Sequence, residues 1–219
     1  LQNGLSDECS DNEKKHSVEY KNIFSKNNHV YWINSSPKDG GYYETQCGTS
    51  KCNHYEIDII SAIVKIIDKN TKEKASVGVI SFYGAQNKML KKEFKNESFK
   101  KIKLDIDTVD RFQGQERNII IVSLVRSVPK NKIKKYKNSS FFRAYERLNV
   151  AFSRAQAMLI IVGAVDFCEQ QTVTMKPLSI NEESVIDDEV LYEKHIYADI
   201  ITNIKNHGCL IDGECFFNG

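Results

Sequence analysis

DTVDRFQGQERNIIIVSLVRS, residues 107–127, closes one alternating stretch, turns through polar residues, and sends the chain back through the interior. NIIIVSLV (118–125) is a short continuous apolar run, as expected of a strand covered on both faces at the centre of a parallel sheet. Working outward, SVGVISF (76–82) and AMLIIVGA (157–164) repeat that pattern, KIKLDIDTV (101–109) alternates like a strand, and HVYWINS (29–35) supplies another. Tyr55–Lys69 carries Ile59, Ile60, Ile63, Val64, Ile66 and Ile67 at helical spacing, and Ala85–Phe94 and residues 144–155 also read as helices. Alternating strands and helices predict right-handed crossovers, hence an α/β domain with a mainly parallel central sheet of about five or more strands. SPKDGGYYETQCGTSKCN (36–53) reads as a long polar loop. After Met175 one helix is expected, Asp187–Asn206, ended by Gly208. The expected organisation is a polar lead-in over 1–28, one domain over 29–167, and a C-terminal extension over 168–219 that packs its helix on the domain.

Composition excludes several classes. No apolar run nears the roughly 20 residues that span a membrane, and the polar N-terminus is neither a signal nor a transit peptide. A cytoplasmic monomer is therefore expected, and the missing initiator Met reads as a fragment. Cys9, Cys47, Cys52, Cys168, Cys209 and Cys215 form no CxxC pair, so the expectation is reduced thiols and no metal site. The net charge of +2 says little about partners, but its distribution says more. All six arginines (Arg111, Arg117, Arg126, Arg143, Arg147, Arg154) lie in one 44-residue window, while Lys supplies positive charge elsewhere. Arginine's planar fork suits phosphate and carboxylate, which points to residues 107–163 as the functional centre.

Three blocks there carry chemistry. VGVISFYGAQNKML (77–90) delivers Ser81, Tyr83 and Gln86 to the C-terminal end of a strand, the edge where open α/β sheets bind ligands. In the turn Asp110–Glu116, Gly114 permits close backbone approach or a positive φ. Glu116 can accept from a ribose hydroxyl or a metal-bound water; the alternative is a capped turn with its charges in water. In YERLNVAFSRAQAMLIIVG (145–163), Arg147 and Arg154 lie seven apart, two turns of a helix, and project from one face. They fit a phosphate clamp or surface ion pairs worth under ~1 kcal/mol each.

In this order the blocks resemble motifs IV, V and VI of superfamily 1B helicases, the kind that acts in nonsense-mediated mRNA decay and its DNA-helicase relatives. Thr108–Glu116 matches motif V, TVDxFQGxE, nearly letter for letter, and Arg147–Ala155 matches motif VI, RLNVAxTRA, with Ser153 replacing Thr. Tyr83 and Gln86 keep motif IV, whose Pro is Phe82 here. Ser50, Asn53 and Glu56 match a stretch upstream. The likeness covers about residues 29–167.

The resemblance implies a RecA-like three-layer sandwich, the second motor domain of an ATP-driven translocase. It assigns the arginine finger to Arg154, nucleotide contacts to Gly114, Glu116 and Gln86, and a bracing role to Arg147. Ser81, Tyr83, Thr108 and Gln113 would meet single-stranded DNA or RNA, with 5′→3′ polarity implied, and Gln113 would couple nucleotide state to that side. ATP is the implied nucleotide; Mg²⁺ ligands and the P-loop are expected from an N-terminal RecA-like domain of the same protein. No GxxxxGK[ST] occurs in this chain, so alone it is expected to hydrolyse nothing. The Asp-Glu pair in VIDDEV (185–190) reads as the opening of the last helix and not as a metal site. RSVPKNKIKKYKNSSFFR (126–143), with Lys130, Lys132, Lys134, Lys135 and Lys137, is a basic insertion that either touches nucleic acid or stays solvated. The alternative to a motor half is a degenerate nucleic-acid-binding or protein-interaction scaffold.

Overall fold

The computed structural model describes residues 17–21, 23–38, 44–129, 132–133, 144–175 and 192–217. Lys130, Lys134, Lys135 and Lys137 of the basic insertion, the Asp-Glu pair of 185–190 and Cys9 lie outside the described residues.

In chain order the strands are β1 (Val30–Asn34), β2 (Glu44–Cys47), β3 (Ser50–Asn53), β4 (Ala75–Ser81), β5 (Ile102–Thr108), β6 (Arg117–Ser123), β7 (Ala155–Gly163), β8 (Val173–Met175), β9 (Tyr192–Lys194) and β10 (Leu210–Asp212). The helices are α1 (His54–Asn70), α2 (Gly84–Glu93), α3 (Tyr145–Phe152), α4 (Val165–Cys168) and α5 (Ile196–Asn206), with 3-10 turns at Val109–Phe112 and Gly213–Phe216. Six strands form one sheet in the order β10-β1-β7-β6-β4-β5, and every described pairing in it is parallel. With this strand order, the right-handed rule for parallel crossovers assigns α1 and α2 to one face and α3 and α5 to the other. This is the RecA-like sandwich expected, with a sixth strand.

The central run behaves as its composition demands. Ile119, Ile120, Ile121 and Val122 on β6 and Met158 to Val162 on β7 are at most 4% exposed, because helices cover both faces. Burying each such side chain contributes about 1.5–3 kcal/mol. α1 starts where the Asn53 side chain accepts the Glu56 N–H at 3.1 Å, and it lays Ile57, Ile60, Val64 and Ile67 into the core.

Four expectations need correction. The polar stretch before α1 is no loop. β2 and β3 pair as an antiparallel hairpin with Gly48 in the turn at φ +64°, burying Glu44 and Cys52. That hairpin brings Cys47 and Cys52 together as a disulfide, whereas Cys168, Cys209 and Cys215 are free thiols. The last helix begins at Ile196, since Tyr192–Lys194 is a strand paired with β8. After it, Leu210–Asp212 does more than pack on the domain: it joins the sheet beside β1, with Trp32 opposite Leu210. At the other terminus, Val18 and Phe24 enter the core, and Tyr31 meets Phe24 edge-on at 5.1 Å.

At Gly78 on β4, an added Cβ would lie 2.7 Å from Ile120 Cδ1 and 2.8 Å from the Phe112 ring. Gly78→Ala is expected to cost about 1–3 kcal/mol by overpacking. That lowers the thermal midpoint by roughly 2–4 °C per kcal/mol for a domain of this size; an unchanged midpoint would contradict the tight fit.

Candidate functional site

Sheet register sorts the candidate residues onto two opposite edges. At the C-terminal edge Ser81 stands between Thr108 and Ser123. At the N-terminal edge Arg117 pairs with Ala155, and its N–H donates to the Arg154 carbonyl at 3.1 Å. Strands of this length set the edges about 20 Å apart.

The pull of that sheet pairing changes the expected geometry of the two arginines. α3 stops at Phe152 because the chain must turn to put the Arg154 carbonyl against β6, so Arg154 leaves the helix and does not share a helical face with Arg147. Its guanidinium lies back over the helix end. Nε donates to the Val150 carbonyl at 3.1 Å and Nη2 to Ser153 Oγ at 2.8 Å. Among the described residues no carboxylate forms an ion pair with it. Neighbouring Arg117 is fully occupied by contrast: it pairs with Asp105 at 2.9 Å, donates to Gln115 Oε1 and the Glu116 carbonyl, and covers the Phe112 ring. Glu116 is exposed and accepts from Gln156 Nε2 at 3.3 Å. This edge therefore offers an available cation beside an exposed carboxylate.

Arg147 Nε lies 3.4 Å from Asp110 Oδ1, which ties α3 to the turn after β5. Beyond that turn come Gln113 and Gly114, both exposed, with Gly114 at φ +76°, which glycine alone adopts without strain.

At the C-terminal edge the predicted contacts divide. Thr108 is half-buried, whereas Ser81 is fully buried, its Oγ accepting the Tyr83 N–H at 3.2 Å; Gln113 lies off this edge, in the turn beyond Phe112 that leads to Arg117. Tyr83 is 9% exposed and lies against Arg126. The structure does not bring Gln86 to the Arg154 edge. It is wholly buried on α2 and its amide is used internally: Oε1 accepts the Asn53 N–H at 2.8 Å, and Nε2 donates to the Asn53 carbonyl and to Ser123 Oγ.

Gln86 belongs to a buried hub around Glu56, which sequence reasoning matched only as a motif letter. Glu56 Oε2 accepts from Ser123 Oγ at 2.6 Å and from the Val125 N–H at 2.9 Å, and Oε1 accepts from Ser35 Oγ at 3.1 Å. Burial pushes its carboxyl up to about 7, against the three donors that favour the charged form. Val125 has φ +70°, an outlier for a β-branched residue, and is clamped from both sides because its carbonyl accepts from Asn53 Nδ2 at 3.0 Å. Ser50 Oγ meanwhile accepts the Ala85 N–H, satisfying the start of α2 from the hairpin. Next to the hub Glu44 receives Arg126 Nε at 2.8 Å, the Ser127 N–H and Lys51 Nζ, while Arg126 stacks over Phe167. Burial alone would lower the Arg126 pKa, but Tyr83 and Glu44 outweigh it and hold the guanidinium above its usual value. Neither Ser35, Ser123 nor the Glu44–Arg126 pair carries a local signal, since the partners lie tens of residues apart in the chain.

A model of a family described as AAA domain matches residues 2–166, three quarters of the chain. The chain belongs to the AAA domain family. Curated relatives of this AAA domain are helicases by name. It is 34% identical over 132 residues to the DNA replication ATP-dependent helicase/nuclease dna2 of Schizosaccharomyces pombe, covering 60% of the chain and 9% of the relative. The DNA polymerase alpha-associated DNA helicase A of Saccharomyces cerevisiae is 37% identical over 121 residues, 55% of the chain and 17% of the relative. The probable helicase senataxin of Homo sapiens is 34% identical over 122 residues, 55% of the chain and 4% of the relative. The chain thus spans less than a fifth of each of these relatives. The family match and these relatives bear out the superfamily 1 helicase resemblance of the AAA domain. Among the described residues, no helix is long and apolar enough to cross a membrane.

Proposed function

We propose that this AAA domain, centred on residues 29–167 with 168–219 as its extension, is the second motor domain of an ATP-driven superfamily 1 helicase. The observation that carries the reading is Arg154: a guanidinium on the sheet's N-terminal edge, aligned by Val150 and Ser153, without a carboxylate partner among the described residues and next to exposed Glu116. Such a cation offsets the charge that develops on a γ-phosphate during transfer to water. Arg154 is then the finger, Glu116 and Gly114 line the nucleotide from this side, and Arg147 braces α3 against the turn that carries them. Mg²⁺, held with the P-loop by an N-terminal RecA-like domain of the same protein, supplies charge neutralisation on the phosphates.

Thr108 and Gln113 are the proposed contacts to single-stranded DNA or RNA, and buried Ser81 and Tyr83 shape the surface beneath them. Gln86 positions that surface through Asn53 and Ser123. Contacts of this kind grip sugar and phosphate, so binding is expected to be weakly sequence-dependent and strongly salt-dependent.

The test is ATP hydrolysis by a longer protein that joins this domain to a P-loop domain, with and without each polymer. Hydrolysis stimulated by one polymer supports the motor reading and names the substrate. A folded protein that hydrolyses nothing with either polymer points to the scaffold reading. Robust turnover by the purified 219-residue chain alone would overturn the assignment of the P-loop to another domain.

A further inference from the structure

Two lysine-rich segments far apart in sequence meet at the N-terminal end of β4 and β5. Register Ala75↔Ile102, and the Ala75 N–H to Lys101 carbonyl bond of 3.0 Å, bring residues 69–74 beside residues 100–103. Together they carry Lys69, Lys72, Lys74, Lys100, Lys101 and Lys103, all exposed, against one carboxylate, Glu73. A hollow of about 400 Å³ opens there, and lysines 74, 100, 101 and 103 line it.

Beyond Glu73, the next acids of the adjoining elements are already committed. Asp68 accepts the backbone N–H groups of Lys100, Lys101 and Ile102 at 3.2, 2.7 and 3.1 Å, and Asp105 holds Arg117. Lys101 Nζ donates to the Thr71 carbonyl at 2.7 Å, closing the end of α1. Among the described residues the other five ammonium groups form no ion pair, whereas Lys38, Lys51, Lys65 and Lys91 each find a carboxylate. Unscreened positive charge facing a concavity is complementary to a polyanion.

Extent and chemistry choose among polyanions. The ammonium groups spread over the two segments that lead into β4 and β5, more than one phosphate can neutralise. Lysine is a compact point charge that reads backbone phosphate without base preference. A protein partner would need a large apolar anchor, and among the described residues the one exposed large hydrophobic is Phe217, at the far end beyond β10. We propose that this hollow holds the phosphodiester backbone of a nucleic-acid strand, a second contact on the N-terminal edge, about 20 Å from the Thr108 edge. The proposal rests on the motor reading above.

The experiment compares the full-length protein with its Lys74→Ala/Lys100→Ala/Lys103→Ala variant, leaving Lys101 in place because it closes α1. Binding of a labelled single-stranded oligonucleotide is followed by fluorescence anisotropy across a salt series. Loss of three phosphate contacts makes the slope of log K on log salt shallower by about 2, at ~0.7 per phosphate. The triple Lys→Arg variant keeps the wild-type slope. An unchanged slope in the Ala variant, with wild-type binding intact, overturns the proposal and leaves the lysines as guards of the free β5 edge. Polyglutamate that displaces the oligonucleotide from wild type as well as an unlabelled polynucleotide does also overturns it, in favour of an acidic protein. Wild-type protein that binds no nucleic acid removes the motor reading itself, a separate and recognisable result.

Discussion

Arg154→Ala, in a protein that carries this domain with its P-loop partner, should lower ATP hydrolysis by about 10³–10⁵, the range known for arginine fingers in phosphoryl transfer. The side chain is half-exposed and its two hydrogen bonds are local, to Val150 and Ser153, so the fold should keep its thermal midpoint. Arg154→Lys should rescue little, because a single ammonium cannot reproduce a planar fork that donates to the helix end and to phosphate at once. Steady-state hydrolysis at saturating nucleic acid is the measurement. Activity within severalfold of wild type would remove Arg154 from the reaction and leave it as a cap on α3.

Glu56→Ala should be the most damaging single change to the fold. It strands the Ser123 hydroxyl, the Val125 N–H and the Ser35 hydroxyl in the interior without their acceptor. At about 1–3 kcal/mol for each unsatisfied group, partly relieved by relaxation, the expected loss is about 3–5 kcal/mol, or roughly 10 °C in midpoint. The pH dependence has a definite sign. The carboxyl titrates at about 7 in the fold, above its ordinary 4.5, so the folded state holds the proton more tightly. This group's contribution is complete below about 4.5 and is lost as pH rises through 7, an effect of about 3 kcal/mol. Glu56→Gln removes that slope, so denaturant unfolding of wild type and Gln variant between pH 4.5 and 7 should diverge. Parallel curves would mean that Glu56 does not titrate there. Alanine should therefore cost most at the acid end of the range, where the wild-type carboxyl is protonated and pays no ionisation penalty.

What the sequence made legible follows from where the signal is local. Residues 118–125 and 157–164 announce central strands because burial on both faces favours apolar side chains, the buried Ser123 being held by Glu56 and Gln86. The Asp110–Glu116 turn and the Arg147–Ala155 block are likewise contiguous. Leu210–Asp212 was invisible because three residues become a strand only through pairing with β1. The β2–β3 hairpin hid behind polar composition, since its buried face is little more than Glu44 and Cys52. The end of α3 could not be read from helical spacing, because the competing force is a hydrogen bond from Arg117, 37 residues upstream. Gln86 illustrates the same limit at the site. Its place in a motif names a position, while its burial and its bonds to Asn53 and Ser123 come from three segments meeting.

The connection from β5 to β6 has a mechanical consequence. Thr108 lies on one edge of the sheet and Arg117 on the other, with β4 between their strands, a diagonal of about 22 Å. The chain between them folds into a four-residue 3-10 turn and then a second turn, closed by the Gln115 N–H to Phe112 carbonyl bond at 3.0 Å with Gly114 at φ +76°. Both turns sit on Phe112, which is buried against Gly78 and Ile120 and acts as the pivot of the connection. A displacement at Thr108 is therefore either released by opening a turn or carried through the pivot to Glu116. The Asp110–Arg147 pair is where α3 grips this pivot, so a movement carried through it also turns the helix that holds the Arg154 guanidinium through Val150.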